Sequence, residues 1–175
     1  QRVTEIEEET KHDIMALTKA MAERAGAAGW CIHLGATSND IVDTAVGLQI
    51  RDSIAVHKTV MHQLLKTLCD LAYREKDTVM LGRTHGQAAV PITVGLKVAV
   101  WVDEFRRHLV RLEELIPRCC VGKFLGAVGT GAAQGKDARE LQQLILQHLG
   151  LGVPVATTQV VGRDRYIEWV AWMAN

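Results

Sequence analysis

Apolar positions recur at helical spacing through most of the chain. From Thr4 to Ala28, Ala, Met, Leu, Lys and Glu are dense and Gly26 and Gly29 act as stop signals, which predicts one helix. Ser38-Asn39-Asp40 is a capping sequence. Behind it Ile41, Ala45, Leu48, Ala55, Met61, Leu65, Leu68 and Ala72 keep three- and four-residue spacing until Lys76-Asp77. Only Gly47 weakens this stretch, so it predicts a helix of about thirty residues, well beyond the usual ~11–12. The period breaks from Asp77 to Pro91, a short extended segment and loop. Val94, Val98, Trp101, Phe105, Leu109, Leu112 and Ile116 then line one face of a second long helix, which Pro117 is expected to stop. Glycines 122, 126, 129, 131 and 135 make a flexible joint. A shorter helix follows from Asp137 to Leu149, then a loop from Gly150 to Gly162, then a last helix from Arg163 onward.

The pattern therefore predicts an all-α fold, an elongated bundle of long helices with short connections. Helices of this length leave apolar faces that neighbouring copies would cover, so a homo-oligomer assembling through the central bundle is expected. Residues 1–36 read as the end of an N-terminal helical domain, and 37–175 as a central long-helix domain incomplete at its C-terminal side.

Composition narrows the class. The chain has 175 residues, of which 48% are hydrophobic and 23% charged, enough for a sizeable core and too apolar for disorder. Twenty basic and twenty acidic side chains cancel, so no global field points to nucleic acid or an anionic membrane as partner. No apolar run approaches the roughly 20 residues of a membrane span. The acidic start, Glu5-Ile6-Glu7-Glu8-Glu9, does not fit a signal or transit peptide, and without an initiating Met the chain reads as part of something longer. Cys31, Cys69, Cys119 and Cys120 form no Cys-x-x-Cys pair. They read as reduced thiols of a cytoplasmic protein, a cross-link being the less favoured alternative.

Polar residues gather at the breaks between helices. Thr37 and Ser38 stand at the start of the long helix, where free backbone N–H groups favour an anion; they are either a plain cap or a carboxylate or phosphate site. His85 lies in the irregular segment Leu81-Gly82-Arg83-Thr84-His85-Gly86-Gln87, either as a general acid or base near neutral pH or as a solvated side chain. Thr10-Lys11-His12-Asp13 is placed on the first helix, where an ordinary exposed polar face would look the same. His33, His57, His62, His108 and His148 show no pairing that suggests a site and are read as structural. With only Ser38 and Ser53 available and no Gly-x-Ser-x-Gly, a nucleophile-elbow hydrolase is excluded within these residues. The run from Gly129 to Asp137 resembles a phosphate loop, but its spacing is wrong and Asp137 replaces the Ser or Thr. No metal-ligand spacing appears, so neither a metal nor another cofactor is implied.

Taken in series, these clusters carry a resemblance. Thr10-Lys11-His12-Asp13, Gly35-Ala36-Thr37-Ser38-Asn39-Asp40, Leu81-Gly82-Arg83-Thr84-His85-Gly86-Gln87, Gly126-Ala127-Val128-Gly129-Thr130, Thr158-Gln159 and Arg163-Asp164-Arg165 resemble the adenylosuccinate lyase family of the fumarase/aspartase superfamily, in order and over nearly the whole chain. The resemblance implies long helices joined in a homotetramer with active sites shared between subunits. It implies C–N cleavage that releases fumarate from two small nucleotide substrates of purine biosynthesis, adenylosuccinate and the succinylated carboxamide ribotide. It further implies His85 as general acid for the leaving nitrogen and Thr37 and Ser38 as binders of the succinyl carboxylate. Lys11, His12 and Asp13 become a substrate-binding strip, with His12 also near the phosphate or assisting the acid. Gln159 matches a substrate-binding position, and Thr84 lines the same pocket.

One part of the family pattern is missing. Its catalytic base is a serine within Ser-Ser-x-Met-Pro-x-Lys-x-Asn, and no such segment occurs among these residues, nor do the family's N-terminal nucleotide-binding residues and C-terminal domain. An internal fragment without activity of its own is the resulting expectation. Argininosuccinate lyase is the nearest alternative, but it typically carries Ser-Arg-Asn-Asp where Thr37-Ser38-Asn39-Asp40 stands. The carboxymuconate cycloisomerase branch shares Gly82-Arg83-Thr84 yet usually lacks a histidine at position 85. A non-enzymatic helical scaffold is compatible with the periodicity alone.

Overall fold

The computed structural model describes all residues from 1 to 175. Six α-helices carry the chain: α1 (Arg2–Thr10), α2 (Asp13–Ala25), α3 (Ser38–Arg74), α4 (Val94–Cys119), α5 (Ala138–His148) and α6 (Asp164–Ala174). A single antiparallel hairpin, β1 (Val79–Thr84) and β2 (Gln87–Thr93), interrupts them. The all-α class read from the periodicity holds. No helix is long and apolar enough to cross a membrane.

Three local differences from the sequence reading have identifiable causes. The predicted first helix is two helices, because Lys11 adopts a left-handed conformation (φ 52°) that closes α1 and His12 turns extended (φ −148°) to cap α2. Residues 79–93 are two paired strands, where one short extended segment and a loop were expected. Their turn is the dipeptide His85-Gly86, both with positive φ (51° and 75°), as a two-residue type I′ hairpin turn demands. Helix α4 continues two residues beyond Pro117. There the proline costs one hydrogen bond in the last turn, while tertiary contact holds the end: Cys119 and Cys120 are buried, and the Cys119 thiol donates to the Arg165 carbonyl at 3.1 Å.

The chain divides into two compact units, Gln1–Ile50 with Pro117–Ile167, and Arg51–Ile116 with Glu168–Asn175. In the first, Ile6, Ala16 and Ala20 pack α1 on α2, and Arg2 forms a two-pronged contact with Glu23. A larger buried set there comprises Ile50, Val121, Ala138, Leu146, Leu151 and Val161. The segment after α4 approaches α3 with no room for a side chain. A Cβ on Gly47 would lie 2.2 Å from the Val121 carbonyl oxygen. Thr44 Oγ1 seals the approach by accepting from the Lys123 N–H at 3.0 Å and donating to the Lys123 carbonyl at 3.1 Å.

In the second unit Ile54, Val98, Leu112, Leu115 and Trp169 are buried. Trp169 stacks on Trp172 with ring centroids 5.3 Å apart, and His57 meets each of them edge-on. The Trp172 indole N–H donates to the His108 carbonyl at 2.9 Å. Val56 and Val60 on α3 and Leu96, Val100 and Trp101 on α4 remain exposed.

Candidate active site

His12 and the start of α3 meet in the first unit. His12 Nδ1 accepts the N–H of Met15 at 3.3 Å as the N-cap of α2. An acceptor at Nδ1 leaves the ring proton on Nε2, which lies 3.2 Å from Ser38 Oγ and donates to it. Asp13 Oδ1 stands 3.4 Å from His12 Nδ1. One imidazole therefore serves as helix cap, as partner of a helix-starting hydroxyl and as the head of an exposed polar strip. Lys11 is exposed beside it, its backbone N–H bonded to the Glu7 carbonyl at 2.8 Å.

Ser38 is the first residue of α3, so Thr37 occupies the cap position. The Thr37 N–H donates to Asp40 Oδ2 at 2.9 Å, the return half of a capping box with an acid at the third helical position. Asp40 is 2% exposed and accepts much more. Its oxygens take the N–H groups of Leu125 (3.2 Å) and Gly126 (3.0 Å) and the ammonium of Lys123, a buried ion pair whose two side chains have no exposed surface. Lys123 also reaches the Gly126 carbonyl at 3.5 Å. The glycine-rich segment is thereby fixed to the turn that carries Thr37 and Ser38.

One turn further along α3, the buried Asp43 organises a second loop. It accepts the Val161 N–H (2.8 Å), the Arg163 guanidinium (2.7 Å) and the Tyr166 hydroxyl (3.2 Å). Burial, aided by the Asp43 charge, pushes the Tyr166 phenol up to about 12, and the hydrogen bond to Asp43 raises Arg163 above its ordinary range. Gln159 lies two residues before Val161, exposed, and makes no hydrogen bond to His12, Thr37 or Ser38.

Thr84 and His85 belong to the second unit, at the end of the hairpin. Register pairs Thr84 with Gln87, so His85 and Gly86 form the tip. His85 is exposed and hydrogen-bonds no other residue, and the Arg83 guanidinium donates to the Gly86 carbonyl at 3.4 Å. A histidine is among the few side chains that tolerate this left-handed position, where its ring projects from the turn into solvent.

Among the residues named from sequence, the structure brings His12 and Ser38 into contact and sets Thr37 and Asp13 next to them. Sequence reasoning missed Asp43, Lys123 and Tyr166 and treated Asp40 as a cap alone. A signal existed. Asp40 and Asp43 are one turn apart among Ile41, Val42 and Ala45, so two acids share the stripe that must be buried. Lys123 is the one charge between Cys119 and Val128.

Comparisons with known proteins give the family. A family model described as Lyase matches residues 1–175. The chain is 48% identical over 175 residues to a curated adenylosuccinate lyase of Archaeoglobus fulgidus, covering 100% of this chain and 39% of that protein. Among solved structures, a fumarate lyase from Mesorhizobium sp. BNC1 matches with TM-score 0.91 and 42% identity over 99% of this chain and 41% of its own. A 3-carboxy-cis,cis-muconate lactonizing enzyme from Pseudomonas putida matches with TM-score 0.87 and 33% identity over 98% of this chain and 40% of its own. The chain thus spans about two fifths of the length of the relatives it matches. Matched by the family model from its first residue to its last, the chain belongs to the lyase family.

Proposed function

We propose that the intact protein carrying these residues is an adenylosuccinate lyase, releasing fumarate from adenylosuccinate to leave AMP and from the succinylated carboxamide ribotide of purine biosynthesis. The observation that carries this reading is the 3.2 Å contact between His12 Nε2 and Ser38 Oγ at the first turn of α3. It holds a hydroxyl at a helix N-terminus, where the dipole favours a carboxylate, and places an imidazole against it. The adenylosuccinate lyase from Archaeoglobus fulgidus, at 48% identity, supports the same reading.

The chemistry is a β-elimination. A base removes the proton from the carbon beside a succinyl carboxylate, and the released electron pair forms the C=C bond of fumarate as the C–N bond breaks. The leaving nitrogen takes a proton. In this reading Thr37 and Ser38 bind the succinyl carboxylate and stabilise the charge that spreads onto it. His85 protonates the nitrogen, and its place at an exposed hairpin tip leaves the ring open to a substrate. Lys11, His12 and Asp13 bind substrate, with His12 near the phosphate or assisting the acid, and Thr84 and Gln159 line the pocket. The base is a serine beyond the two in this segment, Ser38 and Ser53.

The same reading makes the protein a cytoplasmic homotetramer with active sites shared between subunits, residues 1–36 closing its N-terminal domain. Exposed Val56, Val60, Leu96, Val100 and Trp101 support burial of α3 and α4 against other copies. The test is a substrate panel on the full-length protein. Turnover of adenylosuccinate and of the carboxamide ribotide is expected; turnover of argininosuccinate alone would reassign the reaction within the superfamily, and no turnover of any would leave a scaffold.

A further inference from the structure

Buried lysines are costly, and Lys123 is 1% exposed with an ammonium that reaches only Asp40 and the Gly126 carbonyl. A charge retained at that cost acts on something nearby. Asp40 is the only link between the Thr37 backbone and the Leu125–Gly126 backbone, and its two oxygens accept from both sides together with Lys123. Without the ammonium, an uncompensated carboxylate would sit buried in the first turn of α3. There its negative charge would offset the positive end of the helix and repel any anion held by Thr37 and Ser38. Lys123 cancels that charge and keeps four donors pointed at one carboxylate.

We infer that Lys123 is a positioning residue for the carboxylate cradle: acting through Asp40, it locks the Thr37–Ser38 turn to the Gly126 segment and neutralises the field against a bound carboxylate. The inference rests on the reading of Thr37 and Ser38 as carboxylate binders and adds the group that makes them competent. Lys123 touches no substrate in this scheme. Its own backbone is held apart from the ammonium, by Thr44 at both the N–H and the carbonyl.

The experiment measures binding of fumarate and of AMP to the full-length protein by calorimetry, in the wild type and in Lys123→Met. Positioning predicts that fumarate affinity falls about tenfold or more while AMP affinity is unchanged. A folded variant in which the two affinities are unchanged, or fall together, overturns the inference. If Lys123→Met does not fold, hydrogen exchange on the wild type decides. The amides of Thr37, Leu125 and Gly126 should gain protection with fumarate and none with AMP, and absence of that difference overturns the inference. A wild type that binds no fumarate at all refutes the reading of Thr37 and Ser38 itself, a result distinct from the variant's ratio.

Discussion

His12 and Ser38, separated by 26 residues in the chain, share a hydrogen bond of 3.2 Å while the other nitrogen of the same imidazole caps α2. The two roles are separable by substitution. His12→Asn keeps an N-cap acceptor and loses the reach to Ser38, so thermal unfolding should stay near wild type while turnover falls. His12→Ala loses both functions and should cost a further ~0.5–2 kcal/mol of stability. Unfolding curves and steady-state kinetics on the two variants check the split. Equal turnover in wild type and His12→Asn would remove His12 from the site.

The Asp40–Lys123 pair has a stability consequence apart from its proposed effect on binding. With no exposed surface on either side chain, removing one partner strands a buried charge. Lys123→Met should destabilise by about 3–5 kcal/mol in denaturant unfolding, and the double variant Asp40→Asn with Lys123→Met by clearly less. Additive losses would show that the two charges do not depend on each other.

Tyr166 makes a prediction at alkaline pH. Its folded-state value of about 12 lies above the ordinary 10, with burial as the main cause. The unfolded chain therefore gives up this proton first, and the tyrosine's contribution, complete below pH 10, is lost as pH rises towards about 12. Tyr166→Phe should lose about 1 kcal/mol near neutrality, the value of the hydrogen bond to Asp43, and show a shallower decline across that window. Thermal melts between pH 8 and 12 measure it; identical slopes would contradict the assignment.

Gly47 reverses a helix rule. Gly→Ala inside an exposed helix ordinarily gains up to ~1 kcal/mol. At position 47 the added Cβ would stand 2.2 Å from the Val121 carbonyl oxygen, so Gly47→Ala should destabilise by about 1–3 kcal/mol. A stabilised variant would mean that α3 and the Val121 segment can separate without cost.

Much of this was legible in the residues, and the gaps follow from physics. Helix α3 was readable because its apolar spacing runs unbroken from Ile41 to Ala72. The break at Lys11-His12 was not, since good helix formers stand on either side and the stop is a single left-handed residue. The hairpin was hidden because His85-Gly86 takes a turn usually signalled by Asn-Gly or Asp-Gly. Pro117 misled because its lost hydrogen bond falls in the final turn, where packing of Cys119 outweighs it. Gly47 looked like a weakness and is a close approach. Thr37, Ser38 and His85 announced themselves by clustering at breaks, whereas Asp40 and Lys123 are 83 residues apart and only the fold joins them.

The most direct measurement compares the wild-type full-length protein with His85→Asn, a substitution that suits the same left-handed turn position. Adenylosuccinate is supplied, and fumarate and AMP are quantified together. The account predicts one fumarate per AMP from the wild type, and from His85→Asn turnover slowed ~10²–10⁴-fold with substrate affinity little changed. Unimpaired turnover by the variant, or AMP released without fumarate, would contradict it.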